Sequence, residues 1–161
     1  AFDGHTIEAK YNILHGQNHT EEQVRAWKQV EEIIEHFKSA DKYVLAVPMW
    51  NFSIPYRLKQ YIDIIVQPSY TFSYSQQEGY TGLVKDKPMM VVYARGGDYS
   101  QGSGMESYDM QKKYIEGITQ FIGFEDIRSI VIEPTLMGPP DVVEEKVQLA
   151  KDRARELAVE F

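Results

Sequence analysis

Apolar positions along the chain switch between a helical period and short uninterrupted runs. Residues 1 to 19 show neither pattern; they are rich in Gly, His and Asn and read as a surface loop or an arm on a neighbouring surface. Thr20 with Gln23 forms a capping box, after which Val24, Trp27, Val30, Ile34 and Phe37 recur at helical spacing, predicting an amphipathic helix to about Ser39. Tyr43 to Val47 is a continuous apolar run ending at Pro48, the pattern of a strand covered on both faces. Pro55 then opens a helix in which Leu58, Tyr61, Ile62 and Ile65 share one face. Tyr70 to Leu83 reads as a small hairpin dense in aromatics. Met89 to Tyr93 is a second buried-type strand, followed by a glycine-dotted loop through Gly104. Next comes a helix to about Ile122, with Tyr114, Ile115, Ile118, Phe121 and Ile122 inward and Gly123 as its cap. Ile127 to Glu133 is the third strand, and after Gly138-Pro139-Pro140 a last helix turns Val142, Val143, Val147, Ala150, Ala154 and Leu157 inward.

This alternation predicts a parallel sheet sandwiched by helices, joined by right-handed crossovers, with ligands outside the carboxyl ends of the strands. The segments Pro48 to Phe52 and Ala94 to Gly97 leave two such ends. With 161 residues, 43% hydrophobic and 25% charged, the chain suits a single globular domain. Its formal charge of -7 disfavours nucleic-acid binding, which needs a basic face. Zero cysteines exclude disulfides, thiol nucleophiles and cysteine-ligated metals. No run reaches the roughly 20 apolar residues of a membrane span, and nothing near Ala1 reads as a signal peptide, so a cytoplasmic protein with no membrane partner is expected.

Few residues offer catalytic chemistry. His5, His15, His19 and His36 lack any metal-binding spacing, so no metal site is expected. Ser53, Ser100 and Ser103 lack a nucleophile-elbow context. Asp63 and Asp109 read as solvated or capping charges, and Glu144 to Arg155 as a solvated helix face. Met49, Trp50, Asn51 and Phe52 suit either the wall of a flat aromatic ligand, with Asn51 bonding its polar edge, or a seal on the core. Gly96 and Gly97 permit close backbone approach to a ligand or serve loop geometry alone, and Arg95 can equally be a solvated charge. Tyr70, Phe72, Tyr74 and Tyr80 form either a dimer contact or a lid over a planar ligand.

The segment YVLAVPMWNFSIPYRLKQYIDIIVQPSYTFSY, followed by VVYARGG, closely resembles the FMN-dependent NADH azoreductases and NAD(P)H:quinone oxidoreductases of the flavodoxin-like superfamily. The resemblance runs from Ile7 through the last helix. It implies an α/β flavodoxin-like doubly wound sheet of order 2-1-3-4-5 with helices on both faces, and a homodimer that holds FMN at its interface. It also implies ping-pong transfer of hydride from NADH or NADPH through FMN N5 to an azo compound or quinone, with no catalytic acid, base or nucleophile from the protein. Residue by residue, Met49, Trp50, Asn51 and Phe52 match the family's first flavin loop. Ala94, Arg95, Gly96 and Gly97 match the second, with Ala94 where Ser is commoner. Tyr74 and Phe121 fall where the family places pocket aromatics, which assigns the aromatic cluster to pocket and dimer together. A flavodoxin-like electron carrier or a non-catalytic interaction protein is the alternative.

Family members open with a strand, a serine-rich phosphate loop, a helix and a second strand, and these do not precede Ala1. The expectation is therefore an N-terminally incomplete domain from a longer native protein. The three strands would then be the family's third to fifth. Tyr43 to Val47 would form an exposed edge, against its composition.

Overall fold

The computed structural model describes residues 3–161. Its central sheet has three parallel strands in the order β1 (Tyr43–Pro48), β4 (Met89–Ala94), β5 (Ile127–Ile132). A separate antiparallel hairpin joins β2 (Phe72–Ser75) to β3 (Gly79–Gly82). Pro48 pairs with Ala94 and Ala94 with Ile132, so all three carboxyl ends reach one level.

Side-chain alternation divides the sheet between two layers. Tyr43, Val47, Met89, Val91 and Tyr93 point into the larger core, against α2 (Glu21–Lys38), α3 (Tyr56–Ile65) and α4 (Gln111–Ile122). Met90 and Ile130 point the other way, into a smaller core closed by Ala150 and Leu157 of α5 (Pro140–Glu160). Helices on both faces follow, as expected.

The capping box forms as the sequence predicts: Gln23 N donates to Thr20 Oγ1 at 3.2 Å, and Thr20 N donates to Gln23 Oε1 at 2.9 Å. Trp27, Val30, Ile34 and Phe37 are buried, whereas Val24 stays exposed and Gln23 is buried instead.

Two expectations are corrected. Residues 4–14 are not a loop but helix α1 (Gly4–Leu14), packed on α2 and capped by Asp3, which accepts from Thr6 N at 3.1 Å. That hydrogen bond holds the Asp3 carboxyl below its ordinary range. Its buried positions are Thr6 and Ala9, too small to print an apolar stripe, while Ile7, Tyr11 and Leu14 remain exposed.

β1 is also not covered on both faces. Val44 is 65% exposed and Ala46 is exposed as well, because α5 reaches only β4 and β5. Among the described residues β1 pairs only with β4, giving the exposed edge that the family order implies.

The hairpin sits at the amino pole of the sheet, fastened to the end of α4. Val84 N donates to Ile122 O at 2.8 Å, and Gly82 lies so close to Gly123 that an added Cβ would fall 2.4 Å from its Cα. Gly123 has φ 119° and ends α4 in the left-handed region. At the hairpin's base, Tyr70 Oη donates to Glu31 Oε1 at 2.5 Å and accepts from Trp27 Nε1 at 3.1 Å. Tyr70 therefore belongs to α2, while Phe72, Tyr74, Tyr80 and Phe121 form the aromatic cluster, with ring centroids 4.8–6.1 Å apart.

The two glycine environments predict opposite outcomes. Gly82→Ala should destabilise the fold by about 3 kcal/mol, since backbone rather than a flexible side chain must move. Gly117→Ala, on the exposed face of α4 with nothing within 4 Å of the new Cβ, should stabilise it by about 0.5–1 kcal/mol. Urea denaturation of the two variants checks both signs.

Candidate functional site

The chain leaves β1 at Pro48 and at once makes a tight turn. Trp50 N donates to Ser53 O at 2.9 Å, and Ser53 N returns to Trp50 O at 3.0 Å. The two residues between them, Asn51 and Phe52, have φ of 47° and 67°. Positive φ at both central positions belongs to a type I′ turn, where Asn is at home but an aromatic costs on the order of 1–2 kcal/mol. Met110 N secures the turn from outside by donating to Phe52 O at 3.0 Å. The Phe52 ring packs against Tyr108 and Tyr99, with centroids 5.2 and 6.1 Å away. Trp50 and Phe52 both remain substantially exposed, so the loop does not seal the core.

β4 ends beside it. Met49 N donates to Ala94 O at 2.9 Å, and Arg95 N to Ile132 O at 3.0 Å, extending the ladder past the strands. Gly96 O then accepts from both Leu136 N at 3.1 Å and Met137 N at 2.9 Å, tying the loop after β5 over the loop after β4. A Cβ on Gly96 would meet Leu136 Cδ1 at 3.1 Å, tighter than an ordinary contact, so glycine there lets the β4 and β5 exits close together.

Between the two loops lies a cleft of about 300 Å³ lined by Met49, Asn51, Phe52, Gly96, Gly97, Tyr99, Leu136 and Met137. Apart from Asn51, the side chains on its walls are apolar or aromatic. Among the described residues, no hydrogen bond takes up the backbone N–H of Asn51, Phe52, Gly96 or Gly97. Four unclaimed donors on two facing loops, with a side-chain amide beside them, suit a flat ring whose edge carries nitrogen and carbonyl acceptors. FMN's ring has such an edge, so the residues present fit its ring end.

The expected site residues divide into three groups. Met49, Asn51, Phe52, Gly96 and Gly97 come together in the cleft. Trp50 faces out beside Tyr56, with ring centroids 6.5 Å apart, and Ala94 serves the strand ladder, so neither lines the cleft. Arg95 turns inward: its side chain is 2% exposed and bonded to Gln111, Asp109 and Glu133. It is therefore neither a solvated charge nor a cleft-lining group. Asp109 is a capping charge as expected, its Oδ1 accepting from Gln111 N at 3.1 Å and Lys112 N at 2.9 Å, but it is buried rather than solvated.

Tyr74 and Phe121 lie at the opposite pole. Gln111, at the start of α4, bonds the end of β1, and about 15 Å of helix separates it from Phe121. One chain does not bring these two aromatics to the cleft.

Tyr99, Leu136 and Met137 escaped the sequence reading. The carboxyl-end rule that singled out the first two loops applies equally to the exit of β5, which supplies Leu136 and Met137. Near the cleft, Asp98 is held below its usual range by the Ser100 hydroxyl and N–H. Tyr93, packed beneath Arg95, has its phenol pushed up by burial, with the nearby Glu116 carboxylate adding to the shift. Among the described residues, no group of three or more His, Asp or Glu side chains is placed to hold a metal, and no helix is long and apolar enough to cross a membrane.

The chain is similar to known proteins in both sequence and structure. The family model described as Flavodoxin-like fold matches residues 1–158. The chain is 52% identical over 161 residues to an FMN-dependent NADH:quinone oxidoreductase of Nitratidesulfovibrio vulgaris (strain DP4), covering 100% of this chain and 77% of that protein. It is 38% identical over 160 residues to FMN-dependent NADH:quinone oxidoreductase 1 of Bradyrhizobium diazoefficiens, covering 99% and 76%. Among solved structures, azoreductase from Bacillus anthracis str. Sterne superposes with TM-score 0.89 at 31% identity, over 99% of this chain and 75% of that one. An FMN-dependent NADH-azoreductase of Bacillus anthracis str. Ames Ancestor, in complex with FMN, does so with TM-score 0.80 at 31% identity, over 97% and 74%. The chain belongs to the Flavodoxin-like fold family.

Proposed function

We propose that this protein is an FMN-dependent oxidoreductase that takes reducing equivalents from NADH and delivers them to quinones and azo compounds. The observation that carries the reading is the cleft at the carboxyl ends of β1 and β4, where four unclaimed backbone donors meet apolar and aromatic walls. The names of the relatives support the same cofactor, donor and acceptors.

When bound, FMN supplies the two-electron redox chemistry. The chain's own residues bind and orient. Asn51 and the amides of residues 51, 52, 96 and 97 hold the ring edge, while Met49 and Phe52 flank the ring. Tyr99, Leu136 and Met137 form an apolar rim that excludes water from one side and offers surface to a planar acceptor. No acid or base of the chain is required, because positioning and tuning the cofactor are the protein's tasks.

We further propose a homodimer. Tyr74 and Tyr80 expose large aromatic surfaces at the pole opposite the cleft, so Tyr74 and Phe121 serve a pocket only if a second copy carries them there.

Protein loaded with FMN should show a flavin absorption band that NADH bleaches without oxygen and that menadione or methyl red restores. A band that NADH leaves unbleached would favour an electron carrier, and a protein that acquires no band would defeat the flavin reading. Asn51→Gly keeps the positive φ free of strain while removing the amide, and it should weaken FMN binding about tenfold. Unchanged FMN affinity in fluorescence titration would remove Asn51 from the ring edge. Light scattering should give twice the 18.6 kDa chain mass, and Tyr74→Ser should shift the particle toward the monomer.

A further inference from the structure

Arg95 falls within a segment expected to touch the cofactor, yet its guanidinium points away from the cleft and is almost completely buried. Its backbone is held on both sides: N donates to Ile132 O at 3.0 Å, and O accepts from Thr135 N at 2.8 Å and Thr135 Oγ1 at 2.9 Å. The side chain then bonds in three directions. Nε donates to Gln111 Oε1 at 2.9 Å, and Gln111 Nε2 passes on to Val47 O at 2.9 Å, at the root of the Trp50–Ser53 turn. One terminal nitrogen donates to Asp109 Oδ2 at 2.8 Å, and Asp109 fixes the start of α4 next to Met110, whose N–H holds Phe52 O. The other donates to Glu133 Oε2 at 3.1 Å, the same oxygen that accepts from Tyr99 N at 2.9 Å.

We infer that Arg95 is a positioning residue, a buried clamp that sets the separation of the cleft's loops without touching the ligand, and that Glu133 and Gln111 are its arms to the rim and to the turn. The inference rests on the proposed flavin reading for what the cleft holds, but the clamp acts on the loops whether or not flavin is present. Three strand exits converge on Arg95: 47–53 reaches its guanidinium through Gln111 and Asp109, 96–99 and 133–137 reach it through Glu133, and Thr135 adds a bond to its backbone carbonyl. Such branching needs a planar fork with several donors, which Arg has and Lys lacks. Two carboxylates face one cation, which binds the three exits more firmly than neutral hydrogen bonds would. Loops held in this way keep the four ring-edge donors in place before the ligand arrives, which lowers the ordering cost of binding.

The test compares Glu133→Ala with Glu133→Gln. Glutamine retains an oxygen able to accept from both Arg95 and Tyr99 N–H, whereas alanine cuts the arm. In ligand-free protein, the amide of Tyr99 should exchange faster in Glu133→Ala, with amides of α2 unchanged, and should stay protected in Glu133→Gln. In loaded protein, the Kd for FMN should rise tenfold or more in Glu133→Ala and stay within about threefold of the parent in Glu133→Gln. The visible circular dichroism of bound FMN, which reports how rigidly the ring is held, should weaken in Glu133→Ala alone. If Glu133→Ala does not fold, Glu133→Asp shortens the same arm by one methylene and should move the readouts in the same direction. Parental Tyr99 protection and parental FMN affinity in the Ala or Asp variant would overturn the clamp. If the parent protein binds no FMN, the flavin reading fails by itself, and Tyr99 exchange still decides the clamp.

Discussion

The guanidinium of Arg95 is the point on which the carboxyl end of the sheet depends. A buried cation is costly to desolvate, and removing one partner of a buried ion pair typically costs about 3–5 kcal/mol. Here the charge is offset by Asp109 and Glu133, and the third nitrogen, Nε, donates to Gln111, so each nitrogen of the guanidinium has a partner across the strand ends. Strands β1, β4 and β5 are fixed to one another by their ladders, and a few backbone bonds at Met49, Arg95 and Gly96 continue that pairing into the loops that leave them. The Arg95 network extends the rigidity of the sheet by one further layer into those loops. The cleft is thereby built on the scaffold rather than on surface chain.

The second constraint is conformational. The Trp50–Ser53 turn holds Asn51 and Phe52 at positive φ, and a Phe does not adopt that backbone unless its surroundings compel it. The compulsion comes from Met110 N on the Phe52 carbonyl and from Tyr108 and Tyr99 against its ring. Among the described residues no hydrogen bond takes up the amides of Asn51 and Phe52, and these residues line one cleft with Gly96 and Gly97. Strain on one loop and glycine on the other both leave backbone donors beside the cleft, an arrangement that suits the flat ligand proposed for it.

Much of this was legible in the sequence. The capping box at Thr20, the apolar runs of β1 and β4, and Gly123 after α4 each record a local physical requirement, and each element forms where that requirement places it. The rule that ligands gather at strand carboxyl ends led to both cleft loops. Helix α1 was hidden because Thr6 and Ala9 bury a face without apolar bulk. The inward turn of Arg95 was hidden because its partners are 14, 16 and 38 residues away, and spacing along the chain says nothing about pairings of that range. The openness of β1 was hidden because an apolar run records what a strand can be packed against, not what packs against it in this chain. Tyr74 and Phe121 match pocket positions by resemblance, but only the direction of α4 shows that they stand at the far pole.

The most direct test of the account is a crystal structure of the protein with FMN bound. The account predicts the ring between the 49–52 and 96–97 loops, its edge within hydrogen-bond distance of the amides of residues 51, 52, 96 and 97. Those loops should move by no more than about 1 Å from their positions here, and Arg95 should remain bonded to Asp109, Gln111 and Glu133. A ring bound elsewhere on the sheet, or a cleft that forms only after the Arg95 network comes apart, would contradict it.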